Sequence, residues 1–374
     1  MRIAHVTDCY LPRIGGIEQQ VSALTERQAA RGHEVHVFTA VPGPTSHSAP
    51  GVSVHRPPGR GNRIRYDWSL RGVSEIAQGG FDIVHAHVST VSPLALRAAV
   101  STARMGRPAA VTVHSLWTNL APLYRPVYAL YDICALPLAW SAVSELAAET
   151  VRPIVGAHHD VTILPNGVAA AEWATRSPAR EPDKVVYATV GRLAARKRPR
   201  HLVRMLRAAR AEVPAHIDMQ AVLIGDGPQR PLLEGLLRRY GMTEWVRLVG
   251  MRSHQEVREL LADTDVYVAP ATLESFGIAA LEARCAGLPV IARRRSGIAG
   301  FIEHGVDGLL AVDDDDMTAQ IVRLAVDRDL REGMRHHNHE HAPPLRWDDA
   351  LEECDQLYLR ATSLARGVPA NVPR

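Results

Sequence analysis

The feature that most narrows the fold is an alternation of short β-branched or apolar runs with Ala/Leu/Arg-rich stretches long enough for helices. RIAHVT leads into a helix predicted over about residues 17–31, followed by EVHVFTA, FDIVHAH and AAVTVH. Strands buried on both faces read as continuous apolar runs, and parallel neighbours need crossover helices between them. The chain is therefore of the α/β class, built on parallel sheets. The pattern lapses over 169–183, AAAEWATRSPAREPD, where Pro, Ser, Arg and Glu replace any periodicity and a linker is expected. It restarts with KVVYATVGRL, a helix over about 199–211, DMQAVLIGDG, a helix over 231–240, WVRLVG, DVYVAP and LPVIA. A length of 374 residues accommodates two domains. The expected division is 1–169, a linker at 170–183, a second domain at 184–342, and a closing helix and tail at 343–374 that can return to the first domain.

Composition excludes several functions. With 46% hydrophobic and 22% charged residues the chain is an ordinary globular one, and a formal charge of +3 is only mildly basic. No zinc-spaced cluster or aromatic RNA-reading motif accompanies that charge, so no nucleic-acid partner is expected. Cys9, Cys134, Cys285 and Cys354 lie far apart and read as reduced thiols. The opening MRIAHVTDCYLP lacks the charged-then-apolar order of a secretory signal, and no apolar run reaches about eighteen residues. The expected location is cytoplasmic. One segment, HRPPGRGNRIRYDWSLRG, clusters Arg56, Arg60, Arg63, Arg65 and Arg71 beside Tyr66, Trp68 and Leu70. It reads either as a solvated arginine loop or as an edge touching an anionic bilayer at the inner face of the membrane.

In open parallel sheets the loops at the carboxyl ends of strands form the ligand crevice, and helices that begin there aim their amides at anions. Gly15 and Gly16 occupy such a loop after the first strand; they permit close approach to an anion or serve as an ordinary βα turn. In the second domain VGRLAARKRP places Arg192 and Lys197 beyond a strand, suited to a diphosphate or to a solvated basic turn. The tight turn GDGP at 225–228 ends another strand and borders the same region. DVYVAPATLESFGIAALEARCAG then reads as strand, loop and helix, with Glu274 in the loop, Gly277 at the helix start and Glu282 about one and a half turns inside. Orphan amides at Phe276, Gly277 and Ile278 suit phosphate oxygens, whereas carboxylates accept from sugar hydroxyls. The combination points to a nucleotide sugar.

Taken together, the early Gly-Gly-Ile-Glu, ILPNGV, VGRL with its lysine five residues after the arginine, GDGP and the Glu-x7-Glu segment resemble the retaining glycosyltransferases of family 4. That resemblance implies the B-type fold: two Rossmann-like domains facing across an interdomain cleft. It also implies that Glu282 holds the nucleotide ribose. Glu274, Ser275 and the Phe276-Gly277-Ile278 backbone hold the transferred sugar and phosphates, and Arg192 with Lys197 bind the diphosphate, which Gly15 and Gly16 approach from the first domain. His114, ending AAVTVH, matches the family's histidine facing the sugar, although alone it reads as a core or turn histidine. One departure stands out. After LPVIA the family carries a Gly-Gly turn and Pro-Glu, whereas this chain has RRRSGIAG, keeping Ser296-Gly297-Ile298 but placing Ala299-Gly300 where Pro-Glu belongs. The triplet Arg293, Arg294 and Arg295 reads either as a contact for an acidic group or as a solvated loop.

The reaction implied is transfer of a hexose, mannose being preferred, from a nucleoside-diphosphate sugar to a hydroxyl of a lipid or glycan acceptor. Front-face attack is expected, with the departing diphosphate helping to take the acceptor proton and Arg192 and Lys197 stabilising its charge. No metal and no cofactor beyond the donor are expected; the two cations take the part a metal plays elsewhere. Two other classes remain: a sugar-nucleotide epimerase on a related fold, and a noncatalytic nucleotide-sugar-binding protein.

Overall fold

A computed structural model describes residues 1–13, 15–43, 49–57, 70–118, 124, 133–156, 159–174, 181 and 183–367. The chain divides into two compact units: one formed by Met1–Gly167 with Trp347–Arg374, the other by Val168–Arg346.

The first unit is built on β1 (Arg2–Thr7), β2 (Glu34–Thr39), β3 (Val52–His55), β4 (Ile83–Val88), β5 (Ala109–Val113), β6 (Leu138–Ala142) and β7 (Val161–Ile163). They form one sheet in the order β3-β2-β1-β4-β5-β6-β7, with every neighbouring pair parallel. β4, β5 and β6 are buried at every position, in keeping with their mainly apolar runs. The helices Gly16–Ala30 and Trp347–Ala365 pack on one face: Leu351, Cys354, Leu357, Tyr358 and Ala361 join Ile3, Leu24, Ile83, Ala110 and Ala139 in one core. The register sets His5 beside His85 and His87 beside Thr112, and Thr112 beside Ser141, so that these polar side chains share one buried face of the sheet.

The second unit carries β8 (Lys184–Val190), β9 (Asp218–Ile224), β10 (Val246–Gly250), β11 (Val266–Ala269), β12 (Val290–Arg293) and β13 (Gly308–Ala311). Their order is β10-β9-β8-β11-β12-β13, again all parallel. The order reverses direction at β8 and β11, which is where open sheets of this kind bind ligands. Residues 170–173, inside the stretch read as a linker, form the short helix Ala170–Trp173, and the buried Trp173 ring lies edge-on to His254 at 4.3 Å. One turn is too short to leave a periodic signature in the sequence. The closing helix occupies Trp347–Ala365 within the expected 343–374 segment. Among the described residues no helix is long and apolar enough to cross a membrane.

Candidate active site

In the second unit the loops after β8 and β9 are bound to one another by close backbone contact. Gly191 N donates to Ile224 O and Leu193 N to Asp226 O, both at 2.9 Å. A Cβ on Gly225 would stand 2.0 Å from Gly191 O, and one on Gly227 would stand 2.6 Å from Leu193 O. The glycines of GDGP are thus needed for the approach of two loops. Above them Arg192, Arg196 and Lys197 are exposed.

Arg198, the next residue, does something else. Its backbone adopts φ 56°, and its guanidinium takes Asp314 bidentately at 2.8 and 2.7 Å. Arg293 pairs with the same carboxylate. This corrects the sequence reading of Arg293, which is buried and paired within the fold, while Asp314 ties two loops together. Arg294 and Arg295 alone of that triplet are exposed.

The segment after β11 places its carboxylates as the sequence spacing suggests. Gly277, at φ 92°, caps the helix Ile278–Cys285, so the amides opening that helix have no carbonyl one turn back. Glu274, before the turn, meets Lys197 Nζ at 2.5 Å. Glu282, inside the helix, lies where burial pushes its carboxyl up to about 8. Both glutamates stand near the Tyr267 hydroxyl: burial first, then the charges of Glu274 and Glu282, hold its phenol well above the ordinary range. Tyr267 Oη accepts from Val190 N at 3.3 Å and donates to Val190 O at 3.2 Å, which pins the end of β8 beside them. Arg198, Asp314 and Tyr267 were not singled out by sequence. The signal available for Tyr267 was a hydroxyl-bearing side chain in a strand otherwise of Val and Ala.

Ser296–Gly300, where the sequence departs from Pro-Glu, supports this turn from behind. Gly297 N donates to Glu274 O at 2.8 Å, and Gly297–Gly300 forms a 3-10 turn. A Cβ on Gly297 would lie 2.0 Å from Ser275 O and 2.7 Å from Phe276 N, and one on Gly277 would lie 2.3 Å from Ile298 Cγ1.

In the first unit Gly15 is the extended residue before the helix, and Gly16 is exposed at its first position. Glu18, buried, returns over Gly15 and pairs with Arg13 at 3.0 Å. His114 follows β5 and hydrogen-bonds through Nε2 to His87 Nδ1 at 3.0 Å; burial pushes its imidazole down to about 4, so it is neutral at physiological pH. It borders a concavity with Gln20, Asn166, Gly167 and Trp347. His5, His85 and His87 bring ring nitrogens within 4.8 Å of one another, close enough to share a metal ion. Each of their nitrogens is already engaged by a hydrogen-bond partner. Of the basic segment, Arg60, Arg63, Arg65, Tyr66 and Trp68 lie outside the described residues. Arg56 is bound to the carbonyls of Leu11 and Val41 and lies over the Tyr10 ring, which makes it a brace for the fold and corrects its reading as part of a surface edge.

Known proteins resemble the chain along most of its length. The profile described as glycosyl transferases group 1 matches residues 172–341, and that of glycosyltransferase family 4 matches residues 14–172. The D-inositol 3-phosphate glycosyltransferase of Actinosynnema mirum is 28% identical, covering 94% of each chain. The alpha-monoglucosyldiacylglycerol synthase of Acholeplasma laidlawii is 23% identical over 96% of this chain and 97% of its own. Among solved structures, Anabaena HepE in complex with UDP and glucose superposes with a TM-score of 0.70 at 18% identity, covering 95% of this chain and 98% of that one. Two parallel α/β units with such loops define a glycosyltransferase of the B-type fold, each unit Rossmann-like. The chain belongs to the family 4 type of these enzymes.

Proposed function

We propose that the enzyme transfers a hexose, with retention of anomeric configuration, from a nucleoside-diphosphate sugar to a hydroxyl on a lipid or glycan acceptor. The observation that carries the reading is the Lys197–Glu274 contact at 2.5 Å beside the amide-bearing start of the helix Ile278–Cys285. A donor replaces that ion pair: its phosphates draw Lys197 and Arg192, which releases Glu274 to accept from the sugar hydroxyls, while Glu282 accepts from the ribose. As the sugar–phosphate bond breaks, charge grows on the diphosphate oxygens, where Lys197, Arg192 and the helix amides stabilise it. Those oxygens take the acceptor proton on the same face. His114 contributes a neutral hydrogen-bonding partner for the transferred sugar.

HepE is described with UDP and glucose, and the two relatives are named a D-inositol 3-phosphate glycosyltransferase and an alpha-monoglucosyldiacylglycerol synthase. These names support a hexose donor and an acceptor hydroxyl of polyol or lipid character, with GDP-mannose tested beside UDP-sugars. The test incubates the purified protein with a donor panel and acceptor extracts, follows nucleoside diphosphate release, and analyses products by mass spectrometry and anomeric proton couplings. A glycosylated product of retained configuration is expected. Conversion of the donor into its own isomer would establish an epimerase, and tight donor binding without release would establish a sensor.

A further inference from the structure

The helix Arg328–Glu340 and the residue after it end in HHNHEH, residues 336–341. Residues four apart share one helical face, so the spacing brings His337 and His341 together. Their rings stack, with centroids 4.5 Å apart and planes 17° from parallel. His341 is exposed and His337 half-buried, so solvent reaches both. His341 Nδ1 lies 3.1 Å from the His337 carbonyl, and because a carbonyl only accepts, Nδ1 carries the proton. In the neutral ring the lone pair is then on Nε2. Among the described residues the His337 ring makes no hydrogen bond, in contrast to His5, His85 and His87, whose nitrogens are engaged within the fold. The turn itself is held firmly from below. Asn338, between the two histidines and buried, donates through Nδ2 to Leu288 O at 2.9 Å and to Asp307 O at 3.1 Å, and its own carbonyl accepts from Arg284 Nη1 at 3.2 Å. The His339 ring fills the space beside Gly287, where a Cβ would stand 2.2 Å from its Cε1. Leu288 and Asp307 stand just before β12 and β13. The pair is thus at the amino-terminal ends of these strands, opposite the loops that form the candidate active site.

We propose that His337 and His341 chelate one divalent transition-metal ion, copper(II) most tightly and nickel(II) and zinc(II) less so, at a site separate from sugar transfer. Two imidazoles four residues apart on a helix can occupy neighbouring positions on a single ion. Imidazole suits copper, nickel and zinc, and for a given ligand set affinity rises along the series to copper. Calcium and magnesium take oxygen ligands and do not suit the pair. Two observations beyond the spacing point to an ion. The Nδ1–H of His341 is committed to a backbone carbonyl, the arrangement that orients metal-bound histidines and raises the basicity of the other nitrogen. The rings also stand at a helix carboxyl end, where the last carbonyls carry partial negative charge that favours a cation. Because Asn338 fixes the turn, both ligands are placed before the ion arrives. With two protein ligands the ion keeps water in its remaining positions, so the site loads reversibly, unlike a closed four-ligand zinc centre. On the adjacent row His336 is taken by Glu340 at 3.3 Å, which makes it the natural control.

Full-length untagged protein, stripped with a chelator, is titrated with copper(II), nickel(II) and zinc(II) by calorimetry, and the copper(II) form is examined by electron paramagnetic resonance. One tightly bound copper(II) per chain is expected, with hyperfine structure from two imidazole nitrogens and a Tm that rises with copper concentration. His337→Ala and His341→Ala alter solvent-reached side chains, and each is checked for the wild-type Tm in the absence of metal. Either substitution leaves one ligand and forfeits the high effective concentration of the second, so copper affinity should fall about tenfold or more and the signal should lose a nitrogen. His336→Ala should bind copper(II) as the wild type does. A one-nitrogen signal in the wild type, wild-type affinity in His337→Ala or His341→Ala, or an equal loss in His336→Ala would overturn the proposal.

Discussion

Gly297→Ala is the most searching perturbation of the donor loop, because it adds a single methyl group at a residue given no ligand contact of its own, directly against the Ser275–Phe276 peptide. The new Cβ would begin 2.0 Å from Ser275 O, 2.4 Å from Ser275 C and 2.7 Å from Phe276 N. Real Cβ atoms keep at least 3.0 Å from such atoms, so the Ser275–Phe276 peptide must retreat by about 1 Å (3.0 minus 2.0). The same peptide joins Glu274 to the helix start, so the shift moves the carboxylate and the phosphate-facing amides together. Overpacking of this kind costs about 1–3 kcal/mol of stability, whereas a displacement of about 1 Å at a reacting centre costs on the order of a hundredfold in rate. Donor-saturated kcat and urea unfolding are measured in parallel on Gly297→Ala and on Gly300→Ala, where a Cβ would meet nothing within 4 Å. Gly300→Ala should match wild type in both assays. Wild-type kcat in Gly297→Ala would refute the argument that this peptide's position governs transfer.

Arg192→Ala and Lys197→Ala should each weaken transition-state stabilisation by roughly 2–4 kcal/mol, read as single-turnover rates; unchanged rates would exclude a diphosphate role. Glu282 carries a folded-state carboxyl raised from 4.5 to about 8, so its contribution to stability is full below 4.5 and is lost as pH rises through about 8. The Tm of the ligand-free wild type should accordingly fall relative to Glu282→Gln across that window, and parallel Tm–pH curves would contradict the burial. Arg335→Leu strips the buried Asp265 carboxylate of a partner at 3.0 Å and should cost about 3–5 kcal/mol in denaturant unfolding. A loss below about 1 kcal/mol would refute the structural role assigned to this buried pair.

Sequence carried the strands and their parallel arrangement because β4, β5, β11 and β12 are buried at every position and so are mostly apolar. It also carried the spacing of Glu274 and Glu282, since a turn and a helix of fixed pitch separate them. Ion-pair choice was not legible. Lys197, Arg198, Arg293, Arg294 and Arg295 look alike as letters, yet Arg198 and Arg293 share Asp314 while Lys197 reaches Glu274. Which cation is spent on structure depends on loops distant in the chain converging at one carboxylate. The buried histidine cluster was hidden for a related reason. FDIVHAH shows the alternate spacing of His85 and His87, but His5, Gln28 and Tyr358 join them only through register and through a helix more than two hundred residues away.

The helix Trp347–Ala365 has a consequence for synthesis on the ribosome. Val168–Arg346 is one uninterrupted segment and can complete its own core as soon as it leaves the exit tunnel. The first unit cannot, because Leu351, Cys354, Leu357 and Tyr358 must arrive before Ile3, Ile83 and Ala139 are covered. The amino-terminal sheet, though made first, waits with an apolar face uncovered while the inserted unit is translated. Chaperone occupancy on nascent chains should therefore persist past residue 346 and fall only once that helix has emerged. The element that closes the early sheet also carries Tyr358, so the sheet's burial and the pairing of buried His85 with that hydroxyl are completed in the same event.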